Sequence, residues 1–417
     1  MKMCVAFNEG ERMNVLFLSE LFYPHGGGAE YATFLYSRLL SQAGFNVRVI
    51  TNGFNGEPRF SRDGQLTVYR FPLLGESGSV KYAILKRFDF LFSDFMNRML
   101  KWADVVYIPR FWFSTIPFAK ALGKPVVIHL HDYIPICSLA VLYDMSTARA
   151  CNGKRLLCPP SCIYVYEKTH RRNFKETLTS MVLNSSVGRY VSWLIELSDA
   201  LICVSKFQKD IIEERKLSLR NRVYVIYNPL PKLSIVEMDG DDFGYFGGPD
   251  IMKGFCILSK ALLEVKRHNS VTIRVHSTKF PPEYGKYANS LGKLGFIFYS
   301  KLKSNEFKNI YKKVRAVIVP SIWPEPWPYV VVEALINGRL LLASKVGGIP
   351  EQVYGCKGVH LFDAGDDAKL AELMEYVNSL SREDAIDLGL YNREAFLQRF
   401  DNEISIKNFV SVIESVV

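Results

Sequence analysis

The chain has 417 residues, 48% of them hydrophobic, with 52 Lys and Arg against 42 Asp and Glu and a formal charge of +10. That size supports two domains, each able to bury its own core, and the basic surplus calls for an anionic partner. No apolar run reaches the roughly 20 residues of a membrane span, the first twelve residues carry Glu9, Glu11 and Arg12 in place of a secretory apolar core, and the absence of zinc-finger histidine spacing, RNP-like aromatic strands and long basic blocks makes nucleic acid the weakest partner class.

Residues 1–12 read as an N-terminal extension ahead of a domain spanning 13–229. Strands are expected at Asn14 to Leu18, Asn46 to Thr51, Val105 to Ile108, Val126 to Leu130, Leu201 to Val204 and Val223 to Ile226, forming one parallel sheet. Between the first strand and a helix over Tyr31 to Leu40, Gly26-Gly27-Gly28 occupies the place where an open α/β sheet puts its ligand crevice. Glycines there allow close backbone approach to a phosphate, although three glycines also mark tight turns. Two basic, aromatic-rich stretches follow. The first, Val80 to Lys101, keeps Phe88, Phe92, Phe95 and Met99 at helical spacing with Lys86, Arg87, Arg98 and Lys101 around them; the second, Tyr164 to Trp193, includes Lys168, Arg171, Arg172, Lys175 and Arg189. Each fits an anionic membrane surface or an ordinary core-facing helix.

His131 closes the strand Val126 to Leu130, where an imidazole can hydrogen-bond a ligand hydroxyl or a developing charge; His129, inside the strand, reads as a packed core residue. Immediately downstream, an insertion over 137–162 holds Cys137, Cys151, Cys158 and Cys162. Such a set binds a structural zinc, forms two disulfides or stays as four thiols. A reducing cytosol favours the metal over disulfides. Cys4, Cys203, Cys256 and Cys356 have no such spacing.

Residues 230–242, rich in proline and acid, suit a linker to a second domain over 243–402, with strands expected at Phe243 to Phe246, Val271 to Val275, Gly295 to Tyr299, Ala316 to Val319, Leu340 to Ala343 and Val359 to Phe362. Its first strand-loop-helix unit contains Gly247, Gly248, Lys253 and Gly254. Further on, Glu325 lies in the loop after a strand ending at Ser321 and Glu333 lies in the following helix, eight positions away, with Gly347-Gly348-Ile-Pro-Glu351 downstream. The helix start at Pro328, Tyr329 and Val330 offers N–H groups and a dipole to a phosphate, leaving the two carboxylates to accept from hydroxyls. A phosphate flanked by polyols describes a nucleotide sugar.

With these motifs in this order, nearly the whole chain resembles the retaining glycosyltransferases of family four, whose GT-B fold sets two Rossmann-like parallel-sheet domains facing across a cleft. The resemblance runs through Val15-Leu-Phe-Leu-Ser19, Pro24-His-Gly-Gly-Gly-Ala-Glu30, His131-Asp132, Ala200 to Ser205, Asn228-Pro229 and the Glu325 to Glu333 stretch. It implies a donor of the UDP- or GDP-sugar type and no metal in catalysis. It also implies same-face attack in which the leaving phosphate takes the acceptor's proton, and a last helix, 403–417, crossing back onto the first domain. By the same resemblance Gly27, Gly28 and His131 approach the donor, Glu325 grips the sugar, Glu333 the ribose, and Lys253 offsets the growing phosphate charge. The expected acceptor is a lipid-linked or cell-surface glycan precursor, with a polyprenyl-phosphate-linked sugar first. The expected site is the cytoplasm, at the inner face of the cell membrane. One departure stands out. Gly248 occupies the position where the family usually has arginine, which supports the competing reading of a non-catalytic GT-B protein that binds a nucleotide or glycan. A phosphorolytic or epimerase-like enzyme on the same scaffold is a third reading.

Overall fold

The computed structural model describes residues 12–73, 88–151, 158–169, 173–265, 271–277, 290–300 and 304–417. Two compact units emerge, one built from the N-terminal half through Pro229 together with Asn402–Val417, the other essentially Leu230–Asp401.

The first unit centres on an eight-stranded sheet. In chain order its strands are β1 (Asn14–Leu18), β2 (Asn46–Asn52), β3 (Phe60–Asp63), β4 (Leu66–Phe71), β5 (Val105–Ile108), β6 (Val126–Leu130), β7 (Ala200–Cys203) and β8 (Val223–Val225), and their spatial order is β8-β7-β6-β5-β1-β2-β4-β3. All neighbours are parallel except the β3–β4 hairpin at one edge. The sheet is buried on both faces because successive apolar residues point to opposite sides. Leu16, Leu18, Val106, Ile108, Ile128 and Leu130 enter one core layer, while Val15, Phe17, Val105, Tyr107 and Val127 enter the other. The C-terminal helix Asn402–Glu414 closes this second layer: Phe409 packs at ring-centroid distances of 4.7 Å from Tyr36 and 5.1 Å from Tyr107.

The hairpin at Phe60–Phe71 was not legible in the sequence, since its outer strand is largely exposed and lacks an apolar run. The first basic stretch also differs from expectation. Its periodic aromatic residues do not share one helix, because α1 (Phe88–Leu91) ends in a turn and the chain restarts at α2 (Asp94–Trp102), where Ser93 Oγ accepts the Met96 N–H at 3.2 Å. Met96, Met99 and Leu100 are buried and Phe95 packs on Tyr69 and Phe71, so this helix faces the core. Lys86 and Arg87 lie outside the described residues, as do Arg171, Arg172 and most of the N-terminal extension.

The second unit carries a six-stranded, all-parallel sheet of β9 (Asp242–Tyr245), β10 (Ile273–Ser277), β11 (Phe296–Ser300), β12 (Val314–Val319), β13 (Leu340–Ser344) and β14 (Val359–Phe362), in the order β11-β10-β9-β12-β13-β14. Its core joins alternate strand residues to helix Phe255–Val265. The stretch that reads as a linker packs onto this unit: Val236 and Met238 are buried, and the buried Arg339 guanidinium donates to the carbonyls of Val236 (2.7 Å), Asn337 (2.6 Å) and Tyr311 (2.9 Å).

Candidate functional site

In the second unit, β12 runs out at Val319 and the chain passes through Pro320 and the buried Ser321 before turning into helix Tyr329–Ile336. Glu325 sits in that turn, 3% exposed. Its Oε1 accepts from Ser321 Oγ at 2.7 Å, Trp323 Nε1 at 2.9 Å and Lys253 Nζ at 2.6 Å. Lys253 also stands 5.1 Å from the centre of the Trp323 ring. A buried carboxylate survives only when its charge is met, and here two neutral donors and one cation meet it at a single oxygen.

Two glycines hold this loop in place. Gly254 has φ +80 and a Cβ there would lie 1.8 Å from the Pro320 carbonyl oxygen; Gly347 has φ +55 and a Cβ would lie 2.1 Å from the Glu325 carbonyl oxygen. Each position therefore demands glycine twice, for its left-handed backbone and for the close approach. The Gly348 N–H completes the grip by donating to the Glu325 carbonyl at 2.8 Å. The structure also gives a reason for Gly248. Its φ is +64 and a Cβ would meet Ser277 Oγ at 2.6 Å, so a side chain there is strained and the Ser277 hydroxyl has to give way. Gly247 is equally crowded: a Cβ at that position would lie 2.7 Å from Tyr245 Oη and 2.9 Å from Lys253 Cβ.

Glu333, half-buried in the helix, is pushed up to about 7 by burial. A carboxyl at that value changes charge near neutrality, and hydroxyl donors would favour its ionised form. Pro328 is the N-cap of the helix and its side chain makes no cap hydrogen bond. Tyr329 is buried and Val330 half-buried there.

The first unit presents a second cluster at the C-terminal ends of three adjacent strands. Glu20, Arg110 and Asp132 each lie two residues beyond β1, β5 and β6. The Arg110 guanidinium donates to Glu30 Oε1, and lies 3.6 Å from Glu20 and 4.0 Å from Asp132. Glu30 in turn accepts the Gly27 N–H through Oε2 at 2.7 Å. The glycine loop is thus fastened to the sheet through Glu30 and Arg110, and the Gly27 N–H expected to face a phosphate faces this carboxylate. Gly28 is exposed at the helix start. Burial would raise the Glu30 carboxyl, but Arg110 and the Gly27 N–H more than offset it and hold it low. Glu20 is 1% exposed, finds no hydrogen-bond partner among the described residues for either oxygen, and is pushed up to about 7, chiefly by burial.

His131 stacks on His129 at 4.6 Å. Burial first, then the Arg110 charge, lowers it to about 3, so it acts as a neutral imidazole, and its Nε2 has no partner among the described residues. His129 is fully buried against Tyr107 Oη at 2.7 Å, as a packing residue. Glu20 and Arg110 are functional candidates that reading for motifs missed. Their signal was positional, immediately after predicted strand ends.

Cys137, Cys151, Cys158 and Cys162 all line one cavity of about 750 Å³ in this unit, together with Arg189 and Trp193. The Cys158 thiol donates to the Cys162 sulfur, which draws Cys162 down to about 7. No disulfide joins the described cysteines, and among the described residues no group of three or more His, Cys, Asp or Glu is placed to hold a metal ion. No described helix is long and apolar enough to cross a membrane.

Residues 26–231 match the Glycosyltransferase Family 4 model and residues 240–378 that of Glycosyl transferases group 1. An uncharacterized glycosyltransferase of Methanocaldococcus jannaschii is 29% identical over 208 residues, 48% of this chain, and the match spans only 56% of that protein's length. Sucrose-phosphate synthase from Thermosynechococcus elongatus superposes with a TM-score of 0.71 at 15% identity, over 97% of this chain and 99% of the other. Anabaena HepE, solved in complex with UDP-glucose, gives 0.64 at 16% identity over 97% and 100%. At these identities the structural likeness speaks for the fold, which is GT-B.

Proposed function

Because the chain belongs to glycosyltransferase family 4, we propose that it moves a sugar, with retention of anomeric configuration, from a nucleoside diphosphate sugar to a hydroxyl of a lipid-linked or cell-surface glycan precursor. The observation that carries this reading is the Lys253–Glu325 pair, 2.6 Å apart in a loop fixed by Gly254 and Gly347. Glu325 Oε1 is anchored by three donors, so Oε2 is the atom we assign to the donor sugar's hydroxyls. Lys253, with about a third of its side chain exposed, turns toward the diphosphate and gains as negative charge builds on the leaving group. Glu333 takes the ribose hydroxyls, and the N-terminus of its helix, at Val330, takes a phosphate. Gly248 then contributes backbone N–H where an arginine fork would otherwise reach, which leaves Lys253 as the cation of this half-site.

In the first unit, we assign the acceptor to the cluster of Glu20, Arg110, Asp132 and neutral His131. Carboxylates and an imidazole at strand ends accept from sugar hydroxyls, and the excess of acids over the single arginine disfavours a phosphate there. The UDP-glucose complex of HepE supports a UDP-type donor. The basic surplus supports association with the inner face of the cell membrane. The four cysteines line one cavity without being placed, among the described residues, as a metal-holding group, so a structural zinc there requires the thiols to close on the ion; elemental analysis of protein purified without added metal should then find about one ion per chain, and metal-free protein with four titratable thiols contradicts it.

A screen of UDP- and GDP-sugars, reading released nucleotide with and without a lipid extract, tests the proposal. Acceptor-dependent release is the expected result. Tight nucleotide binding with no release under any pairing would favour the non-catalytic reading.

A further inference from the structure

Helix Phe174–Glu196, called α4 with α3 the preceding Pro160–Thr169, carries five exposed large hydrophobic side chains, more than any other described helix. Its start is fixed by Asn173, whose side chain accepts the Glu176 N–H at 2.8 Å while Glu176 accepts the Asn173 N–H at 3.2 Å. Twenty-three residues make a rod about 34 Å long. One side is settled by packing: Thr177, Ser180, Asn184, Leu194 and Ile195 are buried. The other side exposes Phe174 (80%), Leu178 (53%), Val182 (62%) and Trp193 (52%), with Tyr190 stacked on Trp193 at 5.9 Å. Steps of four, four and eleven residues keep Phe174, Leu178, Val182 and Trp193 within one helical face. Lys175 and Arg189 are exposed on that same face, where Arg189 and Trp193 also border the mouth of the cysteine-lined cavity. Glu176 falls off it, and Glu196, beyond Trp193 at the helix end, is met by Lys216 Nζ at 2.6 Å. On α3, exposed Lys168 lies 5.4 Å from the centre of the exposed Tyr164 ring.

Large aliphatic and aromatic side chains held outward along a rod, with a Trp and Tyr at one end and cations but no acid between Phe174 and Trp193 on that face, match the chemistry of an anionic bilayer interface. A protein partner would need complementary acids along the whole rod, and a second copy of this chain would bring the same cations against it. The aromatic-apolar face flanked by lysine and arginine fits lipid more completely. We infer that α4 lies along an anionic lipid surface through Phe174, Leu178, Val182, Tyr190 and Trp193, with Lys168, Lys175 and Arg189 on the headgroups. This rests on the proposed lipid-linked acceptor only for its purpose. The docking face itself stands on exposure and charge. It also replaces the earlier stretch over Val80 to Lys101, whose described helix turns its apolar side inward.

The test uses the full chain with Leu178→Gln, Val182→Gln and Trp193→Gln combined, all at exposed sites where folding is little affected. Phe92→Gln, at another exposed aromatic, is the control. Sedimentation with phosphatidylcholine vesicles, and with equal mixtures of phosphatidylcholine and phosphatidylglycerol, should show wild type and Phe92→Gln on the acidic vesicles only. The triple variant should lose at least about tenfold in partitioning, since three of the five apolar side chains that would enter the interface are made polar. Unchanged binding by the triple variant overturns the inference, as does wild type that ignores acidic vesicles. A wild-type dimer that the triple variant disrupts would assign the face to a second copy and also overturns it. Calorimetric binding of UDP, read separately, fails only if the donor site is wrong, so the two readings can fall independently.

Discussion

Replacing Glu325 by Gln and by Ala separates its two duties. With glutamine, the side-chain oxygen can still accept from Ser321 Oγ and Trp323 Nε1, and only the charge facing Lys253 is lost. Lys253 is about one-third exposed and can recover water, so the folded state should lose no more than about 1 kcal/mol. With alanine, the buried Ser321 hydroxyl and the Trp323 N–H lose their acceptor as well, which costs about 1–3 kcal/mol. In catalysis the order reverses in importance. A charged hydrogen bond to the reacting sugar is worth roughly 1.5–3 kcal/mol, so Glu325→Gln alone should slow acceptor-dependent nucleotide release about 10- to 100-fold. Urea denaturation gives the stability of each variant and initial rates of nucleotide release give the rest. A folded Glu325→Gln protein with wild-type turnover refutes the assignment of Glu325 to the donor sugar.

Gly254→Ala should unfold the second unit or expel the Glu325 loop, because its Cβ would lie 1.8 Å from the Pro320 carbonyl; thermal melting with loss of UDP binding checks this. Introducing arginine at Gly248 should lower stability by about 1–2 kcal/mol without improving turnover, since a side chain is strained on a backbone at φ +64. Glu333, raised to about 7 from an ordinary 4.5, holds its proton more strongly folded than unfolded, so its contribution to stability is present at acid pH and is lost as pH rises through about 7. UDP binding has the opposite sign if ribose hydroxyls donate to the ionised carboxylate: calorimetric affinity should rise across the same window, and Glu333→Gln should flatten it. Arg110→Gln should release Glu30, and the Gly27 loop it holds, from the sheet and impair use of the acceptor while leaving UDP affinity unchanged, which steady-state kinetics and calorimetry together would show.

The buried strands were legible because a parallel sheet covered on both faces needs continuous apolar runs, and those of β1, β5 and β6 end where their patterns end. Glu325 and Lys253 could be read from glycine-rich turns after strands. Their direct pairing, and the use of one carboxylate oxygen by three donors, could not, since it depends on two loops 72 residues apart in sequence. The Arg110 cluster escaped for the same reason. Each member is a single polar residue in its own loop, and only strand order places them together. Phe88, Phe92, Phe95 and Met99 misled in the other direction, because a helical period persists through sequence even where the chain turns between two short helices.

The central claim is transfer of a sugar from a nucleoside diphosphate donor, and acceptor-dependent release of nucleotide measures it most directly. Purified protein supplied with UDP-glucose and other nucleoside diphosphate sugars should release nucleotide when a lipid extract is added, and product analysis should find the new linkage with the donor's anomeric configuration. Nucleotide that is bound but never released, whatever donor and extract are paired, would contradict it.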